Sequence, residues 1–276
     1  MIYQIEIAAP SPSFQPYIEY YKNVVTDAEG TFKCIPTTNE ELYFNFKKMH
    51  LQSGSLYDLE NPCVYFGGLH GYEQNVFSTL GTGISGGFVV VFKPNGIQNL
   101  FRLGNDEIFG YAIEGENILR SLSEKLWHEL KETTDIAVKK AKVESFLHRF
   151  VNPDFYPPNV VNQILQSIKK ERGLLSTGEI SKRFNISLRT LERKFIDNVG
   201  MSPKEYLQIA RLNHALNLIQ GKNGYSLTRV SYLSGYYDQS HFIRDIKKIC
   251  GFTPGILKKE NQYLEKCDNR NFLKIS

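Results

Sequence analysis

The chain has 276 residues, 41% of them hydrophobic and 22% charged, a balance typical of folded globular proteins and not of disordered ones. No run approaches the roughly 18 consecutive apolar residues that span a bilayer, and residues 1–7 lack the basic and apolar regions of a signal peptide. We therefore expect a cytoplasmic protein without a membrane partner. The four cysteines are widely spaced, which favours free thiols over disulfides.

Charge divides the chain into two parts. Residues 1–155 carry 13 Lys and Arg and 19 Asp and Glu, a net charge of −6, whereas residues 156–276 carry 20 and 10, a net charge of +10. A basic half joined to an acidic half indicates that one half faces a polyanion. The length also favours two domains over one, and we expect a two-domain α+β protein.

The N-terminal half predicts a mainly β domain with flanking helices over residues 1–151. Aromatic or β-branched runs bounded by Gly, Pro, Asn and Asp predict strands. They occupy residues 2–7, 41–46, 63–66 and 88–92. Residues 14–21 predict a short helix. An apolar stripe at four-residue spacing, formed by Ile118, Leu122, Leu126 and Leu130, predicts a helix that faces the core in preference to a dimer seam, and a second helix is expected near residues 137–150.

A proline-rich linker, residues 152–158, separates this domain from an all-α domain over residues 159–264, which a polar tail over residues 265–276 follows. The all-α domain contains an internal repeat. Ile180, Asn185 and Ile186 lie 50 residues before Val230, Gly235 and Tyr236. Further along, the offset is 51 residues: it relates Leu191, Arg193, Phe195 and the run 200–203 to Phe242, Arg244, Ile246 and the run 251–254, in that order. Because the offset changes once, inside a turn, the repeat predicts two helix-turn-helix units, one of them with an inserted residue.

Each copy has residues that start, turn and end two helices. In the first copy these are Ser176 with Glu179 as a capping box, Asn185 in the turn, Ser187 as the second cap and Gly200 at the end. In the second copy they are Ser226 as a cap, Gly235 in the turn and Gly251 at the end. Between the copies, residues 203–220 predict one helix, roughly 27 Å long, which would hold the two units about one DNA turn, ~34 Å, apart.

The second helix of each copy has an outward polar face, because Leu188, Leu191 and Phe195 in the first copy and a matching stripe in the second point inward. The outward residues are Arg189, Thr190, Glu192 and Arg193, and in the second copy Gln239, Ser240, His241 and Arg244. Arg matches guanine, Gln adenine and Glu cytosine in the major groove, so we expect these residues to read bases. Phosphate contacts are expected from Lys182, Arg183, Ser187, Lys194, Lys247 and Lys248.

Four segments resemble the AraC/XylS family of transcription regulators, within a match over roughly residues 160–260. They are RTLERKF (189–195), GMSPKEY (200–206), GYYDQSHF (235–242) and GFTP (251–254). The resemblance implies base-reading residues at Arg189, Glu192, Arg193, Gln239, Ser240, Ile243 and Arg244. The sequence departs from the family at Ser181 and Ser231, where alanine is usual, at Asn185, where glycine is usual, and at Ile246 and Cys250, where aromatic residues are common.

Residues 14–20 and 88–97 resemble the mainly β N-terminal domains of some AraC-type regulators. This resemblance implies a barrel related to cupins that senses a small-molecule effector or forms a homodimer. The paired histidines of metal-binding cupins are missing, and no histidine or cysteine spacing indicates zinc. We therefore expect no metal, no cofactor, no catalytic residue and no enzymatic activity.

The predicted function is a bacterial, sequence-specific transcription regulator whose partners are double-stranded DNA and, if it activates, RNA polymerase. Two alternatives stay open. One is a small-molecule enzyme or sensor with a DNA-binding appendage. The other is a sequence-neutral DNA-architecture protein, which would show a steep salt dependence and little preference among duplexes.

Overall fold

In a computed structural model, the residues described are 3–26, 30–34, 36–46, 49–53, 55–59, 63–68, 76–79, 85–101, 120–151, 160–221, 223–259 and 272–274. The chain divides into two compact units. The first, the sheet unit, comprises residues 1–34, 39–156 and 271–276, and the second, the helical unit, comprises residues 35–38 and 157–270. The predicted linker, residues 152–158, lies outside the described residues.

The sheet unit is built on two five-stranded sheets in which the paired strands run antiparallel. The strands are β1 Tyr3–Ala8, β2 Ile18–Thr26, β3 Gly30–Cys34, β4 Glu40–Asn45, β5 Met49–Ser53, β6 Ser55–Leu59, β7 Cys63–Gly68, β8 Val76–Thr79, β9 Ser85–Phe92 and β10 Phe272–Lys274. One sheet has the order β1-β2-β9-β4-β7 and the other β10-β3-β8-β5-β6. The mainly β character of the N-terminal half is thus confirmed, while closure into a barrel stays a prediction.

One local prediction is wrong, and one strand was not predicted. Residues 14–21 do not form a helix: a single 3-10 turn, Pro12–Phe14, leads into β2. There Ile18 lies opposite Phe92 and Tyr21 opposite Val90, so sheet pairing of β-branched and aromatic residues overrides the local helical pattern. The polar tail contains a strand, β10, because its backbone pairs with β3.

Helices cover one face of the first sheet. They are α1 Gly96–Phe101, α2 Arg120–Lys131 and α3 Ile136–Leu147, followed by a 3-10 turn, His148–Phe150. Phe88, Val90 and Phe92 of β9 share one buried cluster with these helices. Val89 and Val91, which alternate with them, are buried as well, so both faces of β9 are covered.

The C-terminal part of the predicted apolar stripe packs in this core, whereas Ile118 lies outside the described residues. Leu126 and Leu130 are buried in the same cluster as Trp127, as a core interpretation of the stripe requires. The indole N–H of Trp127 also donates a hydrogen bond of 2.7 Å to the carbonyl oxygen of Asn45. The tryptophan is therefore fixed to β4 by a polar contact as well as by packing.

Charged groups are buried within the sheet unit. Lys22 and Glu41 form an ion pair of 3.3 Å, and both side chains are almost fully enclosed. The hydroxyl of Tyr43 donates to the same carboxylate. Lys139 of α3 donates to the Asn23 amide oxygen at 2.7 Å, and burial lowers the pKa of this lysine to about 8. Partners offset part of the desolvation that burial of these charges imposes.

Glu40 is the most deeply buried carboxyl group for which a pKa shift is resolved in the described part of the chain. It is 1% exposed and accepts hydrogen bonds from the Gln98 amide nitrogen at 2.7 Å and the Ile97 backbone N–H at 3.3 Å. Burial raises the pKa of Glu40 to about 7, although both hydrogen bonds lower it. Glu40 therefore changes charge within the neutral pH range.

The helical unit consists of short helices around one long helix. They are α4 Val160–Lys170, α5 Thr177–Arg183, α6 Leu188–Val199, α7 Pro203–Gln220, α8 Leu227–Leu233, α9 Gln239–Cys250 and α10 Pro254–Lys259. The predicted connecting helix is confirmed as α7, which begins after a capping box formed by Ser202 and Glu205. Within the described residues, no helix is long and apolar enough to cross a membrane.

Candidate nucleic-acid interface

The two predicted helix-turn-helix units are present. Helices α5 and α8 each have seven residues and begin 50 residues apart, whereas α6 and α9 each have twelve and begin 51 residues apart. The turn has four residues in the first unit, 184–187, and five in the second, 234–238. In the repeat alignment the extra residue is Tyr237, whose side chain is 89% exposed.

The turns use left-handed backbone at equivalent positions. Asn185 has φ 49° and Gly235 has φ 76°, which glycine and asparagine tolerate best. A Cβ atom on Gly235 would also lie 2.8 Å from a methyl carbon of Leu174. The left-handed backbone therefore favours glycine in the second turn, whereas the first accepts an exposed asparagine.

The two serines that depart from the family pattern are accommodated by backbone contacts. The hydroxyl of Ser181 donates to the carbonyl oxygen of Ile186 at 2.6 Å, across the first turn. The hydroxyl of Ser231, which is fully buried, donates to the carbonyl oxygen of Thr228 at 3.0 Å. Both polar side chains are thus satisfied inside the fold.

N-terminal caps fix where α6 and α9, the second helices of the two units, begin. The Ser187 hydroxyl accepts from the Thr190 backbone N–H at 3.1 Å, and the Asp238 carboxylate accepts from the His241 backbone N–H at 2.7 Å. Asp238 was not predicted as a cap, although an Asp immediately before the outward polar run was the available signal. Gly200 and Gly251 end the two helices in left-handed conformations.

The caps of the preceding helices follow the predictions. The Ser176 backbone N–H donates to the Glu179 carboxylate at 2.7 Å, which completes the predicted capping box. These hydrogen bonds from Ser176 hold the pKa of Glu179 below its usual range. In the second unit Ser226 accepts from the Arg229 backbone N–H. Each unit therefore has its own residues that cap its first helix.

The apolar stripes of α6 and α9 face inward. Phe195 packs edge-on against Tyr206 of α7, with ring centroids 5.9 Å apart. Phe242 packs in the same manner against Tyr236, at 5.2 Å, and burial raises the pKa of Tyr236 to about 12. Leu188 was predicted to join the inward stripe, and this is wrong: it is 56% exposed at the first position of α6.

The predicted base-reading residues lie on the opposite faces of α6 and α9. Those exposed to solvent are Arg189, Glu192, Arg193, Ser240, His241 and Arg244, and those half-buried are Thr190, Gln239 and Ile243. Local contacts orient some of them. The Arg244 guanidinium donates to the Ser240 carbonyl oxygen at 3.4 Å, and the His241 ring lies 3.7 Å from the Asp245 carboxylate.

The predicted phosphate-contacting residues lie on α5, α6 and α9 and at the cap of α6. Lys182, Arg183, Ser187, Lys247 and Lys248 are exposed and Lys194 is half-buried. Arg183 lies 3.5 Å from the carboxylate of Glu171, and the Ser187 hydroxyl is engaged in the cap of α6. The exposed lysines are the groups of this set best placed to meet a polyanion.

Thr228 is a contact residue that the sequence did not indicate. Its hydroxyl donates a hydrogen bond of 2.8 Å to the side-chain oxygen of Gln239. The repeat gives no signal for this pair, because the equivalent residues of the first unit are Gly178 and Leu188. Elsewhere, no cluster of three or more His, Cys, Asp or Glu residues within the described ranges could hold a metal ion.

Two family models match the chain. A helix-turn-helix domain matches residues 180–260, and a domain of unknown function, DUF6597, matches residues 6–114. The HTH-type transcriptional activator RhaS of Pectobacterium carotovorum is 31% identical over 83 residues, and RhaS of Escherichia fergusonii is 33% identical over 75 residues. These matches cover 30% and 27% of this chain and only 29% and 27% of the relatives.

Solved structures of ToxT from Vibrio cholerae match most of the chain. One covers 96% of this chain and 99% of ToxT, with 12% identity and a TM-score of 0.52. Another, of ToxT bound to (E)-4-(8-methylnaphthalen-1-yl)but-3-enoic acid, has the same identity and coverage and a TM-score of 0.50. At this identity the likeness shows the fold alone, a sheet-rich N-terminal region followed by a helical one.

Proposed function

We propose that the chain is a transcription regulator that binds specific DNA sequences through α6 and α9, because residues 180–260 match a helix-turn-helix domain and the transcriptional activators named RhaS are similar over this part of the chain. The observation that carries this proposal is the equivalence of the two outward faces. Each follows a cap and a left-handed turn, and each holds polar side chains while its apolar stripe is buried. Recognition helices of this kind insert into successive major-groove segments.

Specificity is assigned to Arg189, Glu192 and Arg193 of α6 and to Gln239, Ser240 and Arg244 of α9. Arginine pairs with guanine, and glutamate accepts from cytosine. The neighbouring lysines add sequence-independent affinity through phosphates. A helix of 18 residues, α7, separates the two units and sets a spacing between the two DNA blocks.

The proposal is tested by selecting duplexes from sheared genomic DNA with the full chain. Two short sequence blocks about one helical turn apart are expected among the bound fragments. Recovery of fragments without a common motif, at low and at physiological salt, would contradict site-specific binding and favour the sequence-neutral alternative.

For the sheet unit we infer a sensing or dimerising role. Its DUF6597 match carries no stated function, but ToxT, which shares the fold, has been crystallised with a small organic acid. The relatives named RhaS are transcriptional activators, which favours activation and RNA polymerase as the protein partner. A regulator of chromosomal genes would act in the bacterial cytoplasm. Effector binding is tested by ligand-dependent shifts in the fluorescence of Trp127.

A further inference from the structure

Thr228 and Gln239 form a contact that distinguishes the second helix-turn-helix unit from the first. Thr228 lies near the start of α8, and Gln239 is the first residue of α9. The threonine hydroxyl donates to the glutamine Oε1 atom at 2.8 Å. In the first unit the equivalent pair, Gly178 and Leu188, has no hydroxyl and no amide.

The hydroxyl of Thr228 is not needed to build α8. The cap of that helix is Ser226, whose side chain accepts from the Arg229 N–H at 3.1 Å. Ser231 contacts Thr228 through the backbone carbonyl and not through the hydroxyl. Thr228 is exposed and Gln239 only half-buried, so their contact lies where an approaching duplex would meet it.

The hydrogen bond from Thr228 affects which base the Gln239 amide can read. A glutamine that reads adenine uses both ends of its amide, since Oε1 accepts from N6 while Nε2 donates to N7. Here the Thr228 hydroxyl donates to one of the two lone pairs of Oε1, which fixes the rotation of the amide with its oxygen directed at α8. In that rotation the two N–H donors on Nε2 point away from Thr228, and guanine presents two acceptors in the major groove, O6 and N7.

We propose that Thr228 is a positioning residue that makes Gln239 select guanine over adenine at one base pair of the second DNA block. This inference rests on the proposed function, because it requires α9 to lie in a major groove. It revises the adenine preference that an unconstrained glutamine would have. In the first unit the same place holds Leu188, an apolar side chain that offers no hydrogen bond.

The test uses the full chain and a duplex obtained by selection. The base pair read by Gln239 is identified as the one whose preference is lost in Q239A. Binding is then measured to duplexes carrying guanine or adenine at that position, for wild type, T228V and T228S. T228V removes the hydroxyl and keeps the shape, and T228S keeps the hydroxyl; circular dichroism and thermal unfolding show whether each variant is folded.

Wild type is expected to prefer guanine. T228V is expected to lose roughly fivefold of the guanine-to-adenine ratio, the effect of about one hydrogen bond, while T228S retains the ratio. An equal loss on both duplexes, an unchanged ratio in T228V, or a wild-type preference for adenine would overturn the inference and leave the proposed function intact. A wild-type protein that binds all duplexes alike would instead overturn the proposed function, and this inference with it.

Discussion

The sheet unit and the helical unit place their charged side chains differently. In the sheet unit Lys22, Glu40 and Glu41 are buried among strands. In the helical unit Arg189, Arg193 and Arg244 are exposed on two equivalent faces. Buried charges affect the stability of a unit and its response to pH, whereas exposed ones affect what it binds. We therefore expect pH to act mainly on the stability of the sheet unit, and base sequence and salt to act on binding by the helical unit.

The largest expected effect concerns Glu40. Its folded pKa of about 7 lies above the ordinary value of 4.5, so between these values the folded state binds more protons than the unfolded one. The stability of the sheet unit should therefore fall as the pH rises from about 5 to 7.5, by roughly 2.4 kcal/mol. E40Q should remove most of this fall. The free energy of unfolding at each pH is measured by urea unfolding, followed by the fluorescence of the single tryptophan, Trp127.

Lys139 does not interfere with this measurement. Its lowered pKa of about 8 makes the unfolded state bind more protons only above that pH, so its effect on stability lies outside the window and has the opposite sign. Parallel pH profiles for wild type and E40Q would show that the Glu40 carboxyl is not the source of the pH dependence.

The next effect concerns the two arginines at equivalent positions, Arg193 and Arg244. R193A and R244A should each reduce the binding free energy by about 1–3 kcal/mol and relax base preference in one block only. Thermal stability should hardly change, because both side chains are exposed. Binding to duplexes mutated block by block distinguishes the two variants. Equal loss of preference in both blocks would contradict separate reading by α6 and α9.

A smaller effect is expected from Lys247, which is exposed near the end of α9. K247A should weaken binding to cognate and random duplexes by a similar few-fold factor, and should lower the slope of log affinity against log salt by about 1. A salt titration of wild type, K247A and R244A provides the contrast. If K247A changed base preference, this lysine would be a base-reading residue instead.

The smallest effect concerns Gly178, the repeat partner of Thr228. A Cβ atom there would approach only the Ser176 hydroxyl, at 4.0 Å, so G178A should stabilise the helical unit by roughly 0.5–1 kcal/mol. G235A is the matched control and should destabilise it, because φ is 76° and a Leu174 methyl lies 2.8 Å from the new atom. Far-ultraviolet circular dichroism during thermal unfolding compares the two; shifts of equal sign would contradict this geometry.

The helical unit could be predicted largely from sequence, because its caps, turns and apolar stripes are local signals that occur twice. The offset change from 50 to 51 residues even located the extra residue within one turn. The prediction that Leu188 is buried is wrong. Its spacing matches the buried stripe of α6, but Leu188 is the first residue of that helix, and no preceding turn covers its side chain. The Thr228 contact joins two helices through a side chain that the repeat does not share, so no periodicity indicated it.

The sheet unit was harder to predict because its strands are stabilised by distant partners. The start of β2, residues 18–21, was included in a predicted helix, and β10 lies in a polar tail; β9 and β3 pair with these two strands. The buried ion pair of Lys22 and Glu41 joins β2 to β4, which lie on either side of β9 in a sheet whose order is not the chain order. Neither the pairing nor the raised pKa of Glu40 follows from residue spacing.

The most direct test of the central claim, that one chain reads two DNA blocks at a spacing set by α7, is to change that spacing. Affinity of the full chain is measured for the selected duplex and for duplexes with 5 or 10 base pairs inserted between the blocks. Because α7 is a continuous helix, both insertions are expected to reduce affinity at least roughly tenfold, to the level of a duplex with one block. Full affinity for either insertion would contradict the claim.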